Sequence, residues 1–279
     1  MKKISRRSFL AAAGLSVAAL ALTACGGSSA STASSVASSA ASSEAASTSA
    51  AAGELTTVEA GKLTMATNAA FPPYEMTTDA GEFEGIDIET AQAIADKLGL
   101  ELQIDDMDFD AALLSVQQGK ADIVMAGVTV TDERKAVMDF SDSYATGIQS
   151  IIVPEGSDIA SPDDLAGKKI GTQRGTTGYI YCTDDFGEDA VVAYDSGLTA
   201  VQALNNGQVD AVVIDNAPAK EFVAANPGLV ILDTSYAEED YAIGMAKGSS
   251  LEDAVNATLE ELKADGTLQS IVDKYITAE

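Results

Sequence analysis

From Lys62 onward, the chain alternates short apolar runs with stretches whose apolar residues recur at helical spacing. Residues such as Ile88, Ala91 and Ala95 recur every three or four positions and predict a helix that Gly99 would end. The elements predicted in this first series are strands at Leu63–Thr67, Leu100–Ile104 and Asp122–Met125 and helices at Asp87–Leu98 and Asp110–Gln118. Strands that alternate with helices in this way indicate a parallel sheet covered by helices.

A second series of the same kind follows a long apolar segment, Tyr144–Val153. Because this segment is long for an ordinary strand, we interpret it as a crossing between two lobes. The elements predicted after it are strands at Lys169–Thr172, Val191–Tyr194, Ala211–Ile214 and Leu229–Leu232, and helices that begin near Thr176 or cover Leu198–Asn205 and Ala217–Ala225. Tyr241–Ala246 is interpreted as a strand that returns to the first lobe. Two crossings form a hinge, so we expect the lobes to open and close.

The C-terminal part is predicted to be helical. Ser249 and Glu252 have the spacing of a capping box, and an apolar stripe from Leu251 to Leu262 follows them. A last helix is predicted over Leu268–Tyr275.

Candidate ligand-binding residues occur where predicted strands end. Asn68–Phe71, Phe109 and Gly127–Arg134 all follow strands of the first series. In α/β sheets, ligands bind beyond the carboxyl ends of the strands, where the connecting loops meet. We therefore expect these residues to lie close together around a ligand.

The segment Ala126–Arg134, with the sequence AGVTVTDER, joins a strand end to a helix start. Asp132 and Glu133 are typical of a first helical turn, which places Arg134 one turn into the helix. A guanidinium beside free backbone N–H groups forms a site for a carboxylate. The alternative is a solvent-facing Arg134 that pairs with Glu133 or Asp132.

Residues 1–24 have the features of a signal peptide. A basic start, Met1–Arg7, precedes an apolar stretch at Phe9–Ala24 that is short for a membrane-spanning helix. The sequence Leu22-Thr23-Ala24-Cys25 resembles the lipobox of bacterial lipoproteins, so we expect cleavage before Cys25 and lipidation of Cys25, palmitate included. The alternative is a chance cysteine near an ordinary cleavage site. Two arginines in Ser5–Leu10 leave open whether export uses the twin-arginine route.

Residues 25–61 are expected to form a lipid-anchored tether. Gly26–Gly53 consists almost only of Ala, Ser, Thr and Gly, a composition that cannot bury a core. With a lipid on Cys25, we expect the protein at the cell membrane on its extracytoplasmic face, either at the cell surface or in a periplasm.

Charge and composition exclude several classes of function. The chain carries 16 basic and 43 acidic residues. Removal of residues 1–24, which contain four basic and no acidic residues, leaves a net charge near −31 and excludes nucleic acid and anionic lipid headgroups as partners. The absence of histidine excludes Ser-His-Asp and Cys-His catalysis and the usual zinc sites. We expect no metal and no cofactor, and we interpret Cys182 as a packing residue.

Five segments, in order, resemble the family 3 solute-binding proteins of polar amino-acid ABC transporters. They are Thr64–Glu75, Gly85–Glu89, Ala126–Arg134, Asp139–Ser141 and Val209–Asp215. The resemblance implies a two-lobed α/β fold of the periplasmic-binding-protein type II (Venus flytrap) class with two hinge crossings. The implied boundaries are 62–147 and 242–279 for lobe 1 and 148–241 for lobe 2. It also implies a monomer without enzymatic activity that captures a free amino acid and delivers it to the membrane subunits of an ABC importer.

The resemblance also assigns ligand-binding roles. In the family, a residue at the position of Arg134 takes the ligand's α-carboxylate, helped by the N–H and hydroxyl of Thr129 and by the backbone at Thr176 and Thr177. Asp215 and the carbonyl of Gly127 would accept the α-ammonium. Phe71 and Phe109 would form apolar walls, with Tyr74 behind them. From sequence alone, Asp215 is equally suited to cap the helix after it, and each aromatic residue to a core position.

Two amides favour a neutral polar ligand. Asn68 stands where many relatives have aspartate, and Gln173 where some have lysine, so neither a cationic nor an acidic side chain has an obvious counter-charge there. Glutamine and cystine both fit. Two alternatives stay open: an enzyme on the same scaffold, resembling cyclohexadienyl dehydratases and using Glu84 or Asp215, and a sensory receptor.

Overall fold

The computed structural model describes residues 55–276. The predicted signal peptide, Cys25 and most of the predicted tether lie outside this range. The strands are β1 (Lys62–Thr67), β2 (Ala70–Phe71), β3 (Glu75–Thr77), β4 (Phe83–Glu84), β5 (Glu101–Asp106), β6 (Ile123–Val124), β7 (Met138–Phe140), β8 (Ala145–Pro154), β9 (Ile170–Gln173), β10 (Val191–Tyr194), β11 (Ala211–Asp215), β12 (Leu229–Ile231), β13 (Ala237–Tyr241) and β14 (Gly244–Ala246).

Helices accompany the strands in both parts of the fold. They are α1 (Ile86–Leu98), α2 (Phe109–Gln117), α3 (Asp132–Lys135), α4 (Thr177–Phe186), α5 (Gly197–Asn205), α6 (Asn216–Ala225), α7 (Glu252–Ala264) and α8 (Thr267–Tyr275). Short 3-10 helices lie at Pro162–Leu165 and Glu188–Ala190. Within residues 55–276, no helix combines the length and the apolar character needed to cross a bilayer.

The first sheet has the order β5-β1-β6-β14-β7. Its strands β1, β5 and β6 are parallel, and β14 runs antiparallel to β6 and β7. Helix α2 covers one side of this sheet and buries Phe109, Ala112 and Val116 against Val124 and neighbouring apolar residues. This packing fixes the start of α2 at the carboxyl end of the sheet, next to the segment that follows β6.

The second sheet has the order β10-β9-β11-β8-β12, with β13 also paired to β8. Strands β9, β10 and β11 are parallel, whereas β8 is antiparallel to β11, β12 and β13. The carboxyl ends of β9 and β11 lead directly to α4 and α6. Each sheet therefore delivers loops and helix starts to its carboxyl edge, as the alternating sequence pattern predicts.

The two crossings between the sheets are shorter than expected. The chain leaves the first sheet after Phe140 and enters the second at Ala145, and it returns between Tyr241 and Gly244. The interpretation of Tyr144–Val153 as a crossing is wrong for most of that range, because β8 belongs to the second sheet. Its length has a physical reason: β13 pairs with Ala145–Gln149 and β12 with Ile152–Pro154. The lobe boundaries given above stay a prediction.

The predicted capping box at Ser249 does not form. Helix α7 begins at Glu252, and its N-cap Leu251 makes no side-chain capping bond. The Ser249 hydroxyl instead accepts a hydrogen bond from the Leu251 N–H at 3.2 Å. Ser249 lies before the N-cap position, so its hydroxyl does not cap the helix.

Candidate functional site

Arg134 is buried between the two sheets. It lies in α3, where the Thr131 hydroxyl accepts a hydrogen bond from its backbone N–H at 3.2 Å. Its side chain donates from Nη1 to the Thr129 carbonyl at 2.7 Å and from Nη2 to the Gly175 carbonyl at 3.1 Å. The guanidinium also lies 5.4 Å from the centre of the Phe109 ring. Because two of five N–H donors are used on carbonyls, donors remain for an anion.

Among the residues that the structure describes, Arg134 has no ion-pair partner. None of the ion pairs among residues 55–276 includes it, so the alternative of a pair with Glu133 or Asp132 is not formed. Only 8% of the residue is exposed. Burial holds the pKa of Arg134 below its ordinary value, against the opposing effect of the Glu239 carboxylate. A buried guanidinium of this kind favours an incoming carboxylate.

Asp215 supplies the opposite charge from the second sheet. It ends β11 and is the residue before α6, but its side chain makes no capping bond to that helix. Its carboxylate accepts hydrogen bonds from Gln149 Nε2 at 2.8 Å and from the Tyr241 hydroxyl. Burial raises the pKa of Asp215 to about 7, although these two bonds oppose the shift. The capping alternative is therefore not what holds this side chain.

Gly127 lies in the left-handed region, with φ of 56°. A Cβ atom there would lie 2.9 Å from Phe71 Cε1, so only glycine allows the backbone to approach this ring. The Gly127 N–H donates to Asp87 Oδ2 at 3.0 Å, and the Tyr144 hydroxyl donates to the same oxygen at 2.8 Å. Through these two bonds, Asp87 connects the Gly127 peptide to Tyr144 in the first crossing.

The two amides singled out by the sequence contact each other across the cleft. Gln173 Nε2 donates to Asn68 Oδ1 at 2.8 Å, and Asn68 Nδ2 donates to the Met107 carbonyl at 2.9 Å. Gln173 ends β9 of the second sheet and Asn68 follows β1 of the first, so the pair joins the two sheets.

Thr176 caps α4, since its hydroxyl accepts a hydrogen bond from the Tyr179 N–H at 3.3 Å.

One narrow cavity unites the predicted residues. It is lined by Asn68, Phe71, Glu75, Phe109, Ala126, Gly127, Thr129, Arg134, Gln173, Thr176, Thr177 and Asp215. All ten predicted ligand-binding residues are among them. Their role in ligand binding stays a prediction, but their convergence from both sheets provides one compact polar site. Among residues 55–276, no cluster of histidine, cysteine, aspartate or glutamate has a geometry that could hold a metal ion.

The family model of bacterial extracellular solute-binding proteins, family 3, matches residues 63–278. The chain belongs to this family.

Relatives of this solute-binding protein support the same assignment. It is 32% identical over 226 residues to the L-cystine-binding protein TcyJ of Escherichia coli (strain K12), covering 79% of this chain and 85% of the relative. It is also 32% identical over 228 residues to the arginine-binding extracellular protein ArtP of Bacillus subtilis (strain 168), covering 78% and 87%. An ancestral arginine-binding protein bound to glutamine has a similar structure, with a TM-score of 0.75, 41% identity and coverage of 78% and 99%.

These comparisons confirm the predicted family and the two-lobed α/β fold. The family and the relatives are binding proteins and not enzymes, which removes the dehydratase alternative.

Sequence reasoning missed several residues that shape the site of this solute-binding protein. Glu75 lines the cavity and is fully buried. Burial and the nearby Asp87 carboxylate raise the pKa of Glu75 well above its ordinary value, and burial raises that of Asp87 to about 6. The proximity of Glu75 to the Phe71-Pro72-Pro73-Tyr74 segment was a usable signal. Glu239 lies in the acidic run Glu238-Glu239-Asp240, which is typical of a solvated face. The sequence therefore contains no signal that Glu239 is buried.

Proposed function

We propose that this solute-binding protein captures a free L-amino acid between its two lobes and delivers it to an ABC importer as a monomer. The observation that carries the proposal is a pair of buried, opposite charges on one cavity. Arg134 follows the first sheet and Asp215 ends a strand of the second. A zwitterionic α-amino acid presents both counter-charges, and neither lobe satisfies both alone. Since an unpaired charge in a dry cleft is costly, ligand favours the closed arrangement.

The backbone around the two charges fits the same ligand. The backbone at Thr176 and Thr177 lies at the start of α4, a helix of ten residues, where N–H groups favour an anion such as the α-carboxylate. The Thr176 N–H also donates to the Gln173 carbonyl at 3.4 Å. The Gly127 N–H donates to Asp87, and the Gly127 carbonyl is the second acceptor proposed for the α-ammonium. Phe71 and Phe109 enclose the cavity with apolar rings.

For the side chain of the ligand, we propose a neutral polar group such as that of glutamine or cystine. Asn68 and Gln173 bond to each other across the cleft at 2.8 Å. A ligand amide or a second amino-acid end can replace that bond with bonds to both residues, since each amide carries donors and acceptors. One relative is an L-cystine-binding protein, and one similar structure is bound to glutamine, which supports this class.

Glu75 favours arginine as a second candidate. Its carboxyl lines the cavity next to Asp87, and both carboxyls are buried. A guanidinium would allow Glu75 to ionise and would compensate its charge, whereas a neutral ligand leaves it protonated. ArtP and the ancestral protein are named as arginine-binding.

A thermal-shift series separates these ligands. The purified protein, refolded to remove bound ligand, is heated with each of the twenty amino acids and with cystine, because binding to the native state alone raises the unfolding midpoint. A large shift with glutamine or cystine supports the first candidate, and a shift with arginine supports the second. No shift with any amino acid would refute the proposal.

The variant Glu75→Gln then tests the side-chain assignment. If arginine is the ligand, its affinity is expected to fall by about tenfold or more, because the variant removes the only counter-charge proposed for the guanidinium. If the ligand is neutral, its affinity should change little. Glu84→Gln, an exposed site in β4, is the matched control for loss of one carboxylate.

We further propose that Cys25 carries a lipid that holds the protein on the extracytoplasmic face of the membrane, at the cell surface or in a periplasm. Support comes from the lipobox-like sequence Leu22–Cys25 and from the Ala/Ser-rich segment that follows it.

A further inference from the structure

Glu239 is a buried carboxylate directly behind the cavity. It lies in β13, between exposed Glu238 and Asp240, and is only 6% exposed. Its Oε2 atom accepts three side-chain hydrogen bonds: from Thr129 Oγ1 at 3.1 Å, from Thr177 Oγ1 at 3.0 Å and from Gln149 Nε2 at 3.0 Å. Glu239 does not line the cavity, whereas Thr129 and Thr177 do.

These bonds fix the direction in which the Thr129 hydroxyl can act. A hydroxyl has one proton, and the Thr129 proton points at Glu239. The Thr177 hydroxyl, 3.5 Å away, is held on the same oxygen. Towards the cavity, Thr129 Oγ1 therefore presents lone pairs and no proton. An oxygen in this state accepts a hydrogen bond from an ammonium and cannot donate one to a carboxylate.

Glu239 is also connected to the acidic side of the site. Gln149 Nε2 donates both to Glu239 Oε2 and to Asp215 Oδ2, at 3.0 Å and 2.8 Å. The groups that face Glu239 are thus the two threonine hydroxyls, the Gln149 amide and the Tyr181 phenol, with Arg134, Asp215 and Tyr241 within electrostatic range. Its negative charge favours a ligand ammonium and disfavours a ligand carboxylate.

We propose that Glu239 is a positioning residue that holds the Thr129 hydroxyl as an acceptor for the ligand's α-ammonium. The ammonium then has Asp215 and Thr129 Oγ1 as side-chain acceptors, while the α-carboxylate uses Arg134 and backbone N–H groups. This assignment rests on the proposed amino-acid ligand, and it replaces the role of the Thr129 hydroxyl as a carboxylate donor.

A double-mutant cycle tests the assignment. The variants are Glu239→Leu, which removes the acceptor of the three bonds, Thr129→Val, and the double variant, with Glu239→Gln, whose amide oxygen can still accept the bonds, as the conservative variant. Calorimetric titration of the purified full chain uses whichever of L-glutamine, L-cystine and L-arginine binds the unmodified protein most tightly. We expect Glu239→Leu alone to weaken binding by about tenfold, Glu239→Leu added to Thr129→Val to weaken it by less than about threefold, and Glu239→Gln to keep most of the affinity because Thr129 keeps its acceptor. Glu238→Gln removes an equal charge from an exposed neighbour and should leave affinity unchanged.

A second readout separates positioning from a merely structural role. The deaminated analogue of the same probe, which keeps the carboxylate but lacks the ammonium, is measured by competition. Glu239→Leu should leave its affinity unchanged or raise it, so that preference for the amino acid over the analogue falls by about tenfold. Additive effects in the cycle, or equal losses for both ligands, would overturn the proposal. If none of these three binds the unmodified chain, the proposed side-chain class fails, and if no amino acid binds it, the proposed function fails instead.

Discussion

At the scale of single residues, the site depends on a guanidinium that the fold buries without an ionic partner. Replacing Arg134 by alanine removes the group proposed to take the α-carboxylate and leaves that carboxylate in a desolvated cleft. We expect Arg134→Ala to weaken amino-acid binding by about a hundredfold or more. The fold should persist, because the side chain donates only to the Thr129 and Gly175 carbonyls.

Calorimetric titration measures this loss, and the unfolding midpoint reports on the fold. Arg174→Ala is the matched control: it removes an arginine whose side chain is half exposed and pairs with Asp195 at the surface. Unchanged affinity in Arg134→Ala would contradict the site assignment.

Asp215 predicts a dependence of affinity on pH. Burial raises its pKa to about 7 in the free protein, and a bound ammonium would favour the ionised form and lower that pKa. The complex then holds fewer protons than the free protein, so affinity is lost as pH falls. Below about pH 7, we expect a loss of roughly tenfold per pH unit.

Titrations between pH 5.5 and 8 measure this slope. Asp215→Asn should bind more weakly and show a flatter profile, because the titrating group is gone while Asp87 and Glu75 remain. Equal affinity across this range in the unmodified protein would contradict the assignment of Asp215 to the ammonium.

At the scale of elements, the sequence predicted strands and helices well where packing within one sheet and its covering helices determines the pattern of apolar residues. The buried run at β11 and the helical spacing of α1 both appear at the expected places. Strand β8 was misinterpreted because its three antiparallel partners, β11, β12 and β13, all come from segments far later in the sequence. Glu239 could not be predicted either, since its burial depends on that same pairing and not on its acidic neighbours.

The pairing of β8 with β13 also predicts the effect of one methyl group. A Cβ at Gly147 would lie 2.4 to 2.6 Å from the ring and hydroxyl of Tyr241, which donates to Asp215. Gly147→Ala must displace this ring, so we expect a loss of about 1–3 kcal/mol in the free energy of unfolding. Amino-acid binding should weaken as well, because Asp215 loses its position.

Chemical unfolding and titration measure the two effects of Gly147→Ala. Ile148→Ala is the control, since Ile148 is the next residue in β8 but is 37% exposed. A Gly147→Ala variant with normal stability and affinity would show that Tyr241 can move without cost to Asp215.

At the scale of the whole molecule, the site exists only where the two sheets meet. The Asn68–Gln173 bond, the Arg134–Gly175 bond and the Glu239–Thr129 bond each join segments from different sheets. The residue types of the site could be predicted, because each follows a strand end. Their contacts with one another could not, because sequence spacing contains no information on how far the lobes close.

The final prediction concerns where the molecule is held. If Cys25 carries the lipid, Cys25→Ser should move the protein from the membrane fraction to the soluble fraction and abolish incorporation of labelled palmitate, while amino-acid affinity stays the same. A single acyl chain gives only reversible membrane binding, so stable retention requires the full lipid group at this one position. Cys182→Ala is the control, because Cys182 is the other cysteine of the chain and is buried beneath the second sheet. Persistence of Cys25→Ser in the membrane fraction would refute the anchor, since the strongly acidic chain has no electrostatic attraction to anionic lipid.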